Sequence, residues 1–131
     1  MHTCQEYLFA IYLLSKKYDF VRISTLAKFL SLTEPSVTLQ IKQLTKQRLV
    51  LHRRYSTIRL TESGQQMAEN FSNRYNVWED FCEFALDSDS FNYQDIIELC
   101  ELSSPRVLTA LEKYVSKISR KEDQTYESTI E

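Results

Sequence analysis

With 131 residues, 43% of them hydrophobic, and a net charge of −2, the chain can bury one core or two small ones. One glycine and two prolines leave little material for a β-rich fold or a glycine-rich phosphate loop, and two histidines leave little for a catalytic triad. Three widely spaced cysteines fit no disulfide framework and no zinc motif, so we expect a mainly helical, cytoplasmic, non-enzymatic protein without a signal peptide or membrane span.

The first predicted elements lie before residue 31. Thr3-Cys4-Gln5-Glu6 has the pattern of a capping box, and the apolar residues that follow on nearly every side predict a deeply packed first helix. Val21-Arg22-Ile23 predicts a short strand beside a later hairpin. Ser24 or Thr25 then caps a short amphipathic helix that ends at Leu30.

A second helix and a basic hairpin follow a turn at residues 31–33. Thr33 is placed to cap this helix, Pro35 lies in its first turn, and the helix runs to Gln47. Residues 49–52 and 58–60 predict two strands joined by a turn at residues 53–57. Helix, turn, helix and basic hairpin in this order are typical of a winged helix, which places one helix in a DNA major groove.

Periodicity separates the two faces of the second helix. Val37, Ile41 and Leu44 share one face and are expected in the core, so the opposite face is free. That face, the preceding helix and the hairpin turn supply the predicted base, methyl and phosphate contacts. The predicted DNA-binding residues are Lys28, Pro35, Ser36, Thr38, Leu39, Lys42, Gln43, Lys46, Arg53, Arg54, Tyr55, Ser56 and Thr57. The alternative is an ordinary solvated helix pair in an all-α domain.

Charge is divided between the two halves of the chain. Residues 1–60 hold ten lysines and arginines against three acids, or +7, and residues 61–131 hold six against fifteen, or −9. A basic N-terminal half is attracted to phosphate, whereas the acidic half is repelled by it. The division therefore favours DNA binding by the first half only.

The C-terminal half is predicted to be helical. A long helix starts at residue 62 and extends toward Leu86, residues 87–90 form a loop, a short helix ends near Leu102, and Ser104-Pro105 starts a last helix. We therefore expect a winged-helix DNA-binding domain over residues 1–61, a helical dimerisation domain over 62–118 and a flexible polar tail over 119–131.

Apolar residues recur along these C-terminal helices with too little chain to cover them. A homodimer that shares this surface would bury it and would set two reading helices about 34 Å apart, or a multiple of that distance. The alternative is an intramolecular core. The predicted dimer-interface residues are Phe71, Trp78, Phe81, Val107 and Leu111.

Short sequence motifs, in order and nearly without gaps over residues 4–118, resemble the diphtheria toxin repressor family. They are Glu6-Tyr7-Leu8, Ala10-Ile11-Tyr12-Leu13-Leu14, Ser36-Val37-Thr38 with Lys42 and Leu44, Arg59-Leu60-Thr61-Glu62 with Gly64, and Leu102-Ser103-Ser104-Pro105 with Val107-Leu108 and Ala110-Leu111. We expect no SH3-like third domain, which would make the chain similar in size to the short manganese-transport-regulator branch. The resemblance implies a homodimeric winged-helix regulator activated by a divalent metal.

The metal ligands of that family carry over only in part. Phe9 stands where the manganese branch has a carboxylate, and Tyr75 and Tyr93 stand where histidines are expected; a neutral phenol with a pKa of about 10 is a poor ligand. A thiolate with carboxylates would favour zinc or ferrous iron over manganese. The remaining candidate ligands are Glu6, Glu79, Cys100 and Glu101. Alternatively, the acids are solvated or paired and the cysteine is a small buried apolar residue.

Together these features predict a sequence-specific regulator, in its simplest form a repressor, that binds a palindromic double-stranded DNA operator as a homodimer. A repressor that responds to manganese, iron or zinc through a rebuilt site is one alternative. A winged-helix module that binds other proteins is another, although the +7 half disfavours it.

Overall fold

The computed structural model describes residues 2–86 and 91–130, with the side chains of residues 56 and 119–130 outside the description. Two compact units divide the chain, Met1–Ser72 and Asn73–Glu131. This division falls inside the long fourth helix, whereas the predicted domain boundary at residues 61 and 62 lies at the start of that helix. Within the described residues, no helix is long and apolar enough to cross a membrane.

The first unit is a helix-turn-helix followed by a hairpin, as predicted. Its three strands, β1 (Val21–Arg22), β2 (Val50–Arg53) and β3 (Thr57–Leu60), form an antiparallel sheet of order β1-β3-β2. Ile58 of β3 lies opposite both Val21 and His52. A short 3-10 turn over Arg54–Ser56 joins β2 to β3. The elements are α1 (Cys4–Lys17), β1 (Val21–Arg22), α2 (Ile23–Leu30), α3 (Glu34–Lys46), β2 (Val50–Arg53), β3 (Thr57–Leu60) and the first part of α4 (Glu62–Phe84).

Helix α2 begins one residue earlier than predicted, and no side chain caps its first turn. Its first residue is Ile23 and its N-cap is Arg22, which makes no side-chain capping bond. The prediction that Ser24 or Thr25 caps the helix is therefore wrong. The physical reason is that β1 leads directly into α2: Arg22 is extended and pairs with Thr57 of β3, so strand pairing fixes where the helix starts.

The core of the first unit lies under α1, α2 and α3. Leu8, Ile11 and Leu26 are fully buried there, and Ala68 of α4 joins them. Each large apolar side chain buried in this way contributes about 1.5–3 kcal/mol relative to an exposed one. The deeply packed first helix is thus confirmed.

The junction between α3 and α4 depends on close backbone contact. The backbone of Arg48 is left-handed (φ 59°), and the amide of Leu49 donates to the Leu44 carbonyl, which closes the C-terminus of α3. Thr61 then donates its hydroxyl to the Arg48 carbonyl at 2.7 Å. A Cβ on Gly64 would lie 2.0 Å from the Leu49 carbonyl oxygen, so only glycine fits.

The second unit contains the end of α4, α5 (Tyr93–Leu102) and α6 (Pro105–Ile130). Asn92 and Asp95 form a reciprocal capping box at the start of α5. The indole of Trp78 donates to the Ser103 hydroxyl at 2.7 Å, which connects α4 to the end of α5. The predicted loop at residues 87–90 lies outside the described residues. The predicted tail begins within α6, where side chains are not described, so its flexibility stays a prediction.

Candidate nucleic-acid interface

Helix α3 presents one buried face and one exposed face. Thr33 accepts a hydrogen bond from the Ser36 amide and caps the helix, and Pro35 lies in the first turn. Val37, Ile41 and Leu44 have no exposed surface. Because these three residues anchor α3 to the core, the orientation of the opposite face is fixed.

The opposite face carries the predicted base-reading residues. Leu39 is 65% exposed, which is unusual for a leucine at the middle of a helix and confirms the expected exposure. Thr33 donates its hydroxyl to the Ser36 hydroxyl oxygen at 2.8 Å, which leaves the Ser36 proton free to point outward. Thr38 is half-buried and donates to the Glu34 carbonyl at 2.8 Å, so it retains only acceptor capacity for a ligand.

Exposed cations border this face. Lys28 lies on α2, and Lys42 and Lys46 lie one turn apart on α3 beside the exposed Gln43. Among the residues whose side chains the structure describes, no ion pair joins an acid to any of these lysines. Their charges are therefore available to an external anion.

The wing adds two further cations at its turn. Arg53 ends β2, Arg54 follows it, and both are exposed. Tyr55 has a left-handed backbone (φ 63°) and is 84% exposed, and the half-buried Thr57 holds the turn with a hydrogen bond to the Arg54 carbonyl at 3.0 Å. The side chain of Ser56 lies outside the description.

One exposed cation near the wing was missed by the sequence reasoning. Arg22 is exposed, and strand pairing places it opposite Thr57 at the base of the wing. The sequence indicated only a short strand at this position. The register of β1 on β3 determines that Arg22 lies opposite Thr57. This register has no local sequence signal, so the sequence could not place Arg22 beside the wing.

The predicted dimer-interface residues differ in exposure. Phe71 is fully buried and packs on Phe9 with ring centroids 5.1 Å apart, so it offers no surface to a partner and is removed from the set. Trp78 and Phe81 are half-buried and contact each other, with ring centroids 5.8 Å apart. Leu111 is 9% exposed. Val107 is the predicted residue with most free surface, at 48%.

Several exposed apolar residues of the second unit, Leu102 and Tyr114 among them, were not predicted as dimer contacts. Leu102 at the end of α5 is 86% exposed, and Tyr114 on α6 is 50% exposed. Both belong to the apolar pattern of the C-terminal helices, so periodicity could have found them. Periodicity alone did not separate them, because other apolar residues of the same helices, such as Ile97 and Val115, are buried within the protomer.

The N-terminal metal candidate is a buried carboxylate. Glu6 is 1% exposed, and its Oε1 lies 2.7 Å from the His2 Nδ1. Its Oε2 is buried without a hydrogen-bond partner among the described residues. At the position of the second family carboxylate, Phe9 is buried in an aromatic contact and cannot bind a metal.

The candidates of the second unit are poor donors for a divalent ion. Burial, the charges of Glu79 and Cys100 and a hydrogen bond with Glu79 raise the pKa of Tyr75 to about 12. Burial, despite the nearby Arg74, raises the pKa of Cys100 to about 11, so its thiol is protonated at neutral pH. Glu101 is exposed.

Among the described side chains of residues 2–86 and 91–118, no three or more metal-ligating groups come together. Two neutral phenols and a protonated thiol stand where a divalent ion needs imidazoles and anionic ligands, and Tyr75 and Tyr93 pack on each other at 5.7 Å. The donor set therefore does not fit the family's metal.

The fold is a winged helix with an exposed basic face, joined to a helical unit, and this arrangement is typical of DNA-binding domains. Residues 1–58 match the family of the iron dependent repressor, N-terminal DNA binding domain. This match confirms the resemblance to the diphtheria toxin repressor family, because the motifs of the first helix and of the helix-turn-helix lie within it.

Individual relatives agree with the family match. The HTH-type transcriptional regulator MntR of Shouchella clausii is 28% identical over 94 residues, which cover 72% of this chain and 66% of that protein. The structure of the manganese regulator SloR has a TM-score of 0.72 at 24% identity and covers 88% of this chain and 54% of that one. The T. acidophilum IdeR structure has a TM-score of 0.72 at 16% identity, with 88% and 55% covered. The chain thus spans about half the length of these solved relatives.

Proposed function

We propose that the protein is a transcriptional regulator, acting as a repressor, that binds a palindromic double-stranded DNA site as a homodimer in the cytoplasm and catalyses no reaction. The observation that carries this proposal is the exposed face of α3 with Lys42 and Lys46, next to Arg53 and Arg54 of the wing. The family match over residues 1–58 to a DNA-binding domain supports it.

In this proposal α3 enters the major groove and the wing contacts the neighbouring backbone. Ser36 and Gln43 contact base edges, with Thr38 as an acceptor, and Leu39 contacts a thymine methyl. The lysines bind phosphates on either side of the groove, and the arginines of the wing bind the adjacent backbone or minor groove. Phosphate contacts would set the affinity and the register, whereas base contacts would set the preferred sequence.

The homodimer of this proposal uses the apolar surface of the second unit. Val107 and Leu102 are apolar residues with 48% and 86% of their surface exposed in the protomer. Covering them with the same surface of a second copy follows the usual symmetry of homodimers, and two equivalent reading helices then match the two halves of a palindrome.

DNA binding in this proposal does not require a divalent metal, because the second unit lacks a suitable donor set. One observation favours a metal-responsive alternative: the Oε2 of Glu6 is a buried carboxylate oxygen without a hydrogen-bond partner in the described part of the chain. The solved manganese-dependent transcriptional repressor, with a TM-score of 0.70 at 21% identity, is a complex with manganese.

Selection of random DNA duplexes by the full chain, followed by fluorescence-anisotropy titration with and without a chelator, tests the proposal. We expect enrichment of a two-fold symmetric site and the same affinity in both conditions. Enrichment of no sequence, together with an affinity that does not depend on salt, would contradict DNA regulation. Loss of affinity with the chelator that added manganese or zinc restores would instead support the metal-responsive alternative.

A further inference from the structure

A cavity of about 300 Å³ lies between α4 and α5, within the second unit. Its volume is at the lower end of the range for small-molecule sites, so it suits a ligand of a few heavy atoms. The proposed DNA contacts use none of its residues. The lining residues are Tyr75, Glu79, Cys82, Glu83, Phe91, Asn92, Tyr93 and Ile96.

The cavity is electrically negative. Glu79 and Glu83 lie one helical turn apart on its wall, and no lysine or arginine is among the described residues that line it. Burial and the charge of Glu83 raise the pKa of Asp80, and burial and the charge of Asp95 raise the pKa of Cys82. In both cases burial is the larger cause, and the charge of one neighbouring carboxylate adds to it.

Aromatic rings form the rest of the wall. The rings of Tyr75 and Tyr93 lie 5.7 Å apart at an angle of 39°, and Phe91 is 40% exposed at the edge of the cavity. Because the pKa of Tyr75 is raised to about 12, its phenol stays neutral at physiological pH. The rings of Tyr75 and Tyr93 therefore contribute uncharged aromatic surface to the cavity wall, beside the carboxylate of Glu79.

We propose that this cavity binds a small organic ammonium ion, with the aromatic rings around its alkyl groups and Glu79 and Glu83 facing its charge. Aromatic faces attract ammonium groups through their quadrupole, and most strongly where water is partly excluded. Carboxylates add the net charge that selects a cation over a neutral molecule of the same shape. A bare divalent ion fits less well, because the other polar groups on the wall are neutral phenols, a protonated thiol and an amide.

Isothermal titration of the full chain with choline at constant ionic strength tests this inference. The neutral analogue 3,3-dimethylbutan-1-ol has the same shape without the charge and serves as the ligand control. We expect measurable binding of choline and at least about tenfold weaker binding of the alcohol, as for a cation held by aromatic rings. Equal binding of both compounds, or of neither, would overturn the proposal, as would displacement of choline by equimolar potassium.

Variants assign the binding to this cavity. Glu79 is exposed, so Glu79→Gln should fold normally and weaken choline binding severalfold, whereas Glu98→Gln removes an exposed acid of α5 outside the cavity and should not. Tyr93→Leu removes a ring and should weaken binding about tenfold, and Tyr93→Phe should retain it. If Glu79→Gln binds choline as well as Glu98→Gln does, the site is elsewhere and the proposal fails. This outcome is independent of DNA binding.

Discussion

Burial decides the chemistry of Cys100, the residue at which the sequence left a metal ligand open. The side chain is fully buried, and its pKa is raised to about 11 because the thiolate would lose its hydration. A free cysteine in this setting behaves as a small apolar residue that packs between helices. The same argument applies to Tyr75, whose phenol keeps its proton well beyond physiological pH.

Cysteine modification tests this protonation state. In the native chain at pH 8, iodoacetamide should leave Cys100 unmodified under conditions in which the half-buried Cys4 is at least partly alkylated. The raised pKa keeps the reactive thiolate scarce until the pH approaches about 11. Peptide mass spectrometry reads each site, and the chain unfolded in guanidinium, where all three cysteines should react, is the control. Rapid native alkylation of Cys100 would show a thiolate and reopen the metal assignment.

At the residue scale, the sequence predicted which face of α3 is exposed better than it predicted the exposed apolar surface of the second unit. Val37, Ile41 and Leu44 follow the helical period, so their burial implied the exposure of Leu39. Phe71 follows the same kind of period, yet it packs on Phe9 within one chain. Periodicity reports that a side chain is apolar on one face, and it carries no information on whether its partner belongs to the same chain.

Among the elements, the start of α4 depends on one glycine. The Gly64 amide donates a hydrogen bond to the Thr61 hydroxyl oxygen at 3.1 Å. The Thr61 hydroxyl in turn donates to the Arg48 carbonyl. These two hydrogen bonds connect the start of α4 to the end of α3 at the base of the wing. Since a Cβ at position 64 would overlap the Leu49 carbonyl, this connection tolerates no side chain.

Gly64→Ala should therefore destabilise the first unit. The added methyl must push the backbone of residue 49 away, and we expect a loss of roughly 1–3 kcal/mol in the free energy of unfolding, or more if the junction opens. Ser63→Ala, at the exposed neighbouring position, is the matched control and should change stability little. Urea denaturation followed by circular dichroism measures both. A Gly64→Ala protein as stable as the control would contradict the close approach.

The helix ends that are set by a capping side chain were predicted closely. The start of α2, which is set by strand pairing, was not. Thr3 and Thr33 cap their helices as expected, because a capping side chain and its amide are three residues apart. Helix α2 starts where β1 ends, and β1 exists because Arg22 pairs with Thr57. That pairing joins residues far apart in sequence, so no local pattern could set the boundary.

At the scale of the whole molecule, the two halves of the chain differ in the sign of their net charge. The first 60 residues carry +7 and the rest carry −9, so the net charge of −2 does not describe the surface that would meet DNA. The acidic half would be kept away from phosphate, and its exposed apolar residues are the surface through which we propose that two copies associate.

A charge at position 107 should disrupt that association. Val107→Asp places a carboxylate in the proposed apolar interface, and we expect the dimer dissociation constant to rise at least about tenfold because the charge must be desolvated. Ser116→Asp adds the same charge to the opposite face of α6, about two and a half helical turns further along, and should change dimerisation little. Sedimentation-velocity runs over a concentration series distinguish the two. Unchanged dimerisation of Val107→Asp would place the interface elsewhere, and a monomeric wild-type chain would refute the dimer.

The salt dependence of DNA binding by a Lys42→Ala variant tests the central claim most directly. Anisotropy titrations at several salt concentrations give the slope of log affinity against log salt, and loss of one phosphate contact should flatten it by about one unit while weakening binding to all sequences. Lys113→Ala, an exposed lysine of α6 in the second unit, is the control and should leave the slope unchanged. If Lys42→Ala keeps the wild-type slope and affinity, or if Lys113→Ala alters them as much, α3 does not dock on DNA as proposed.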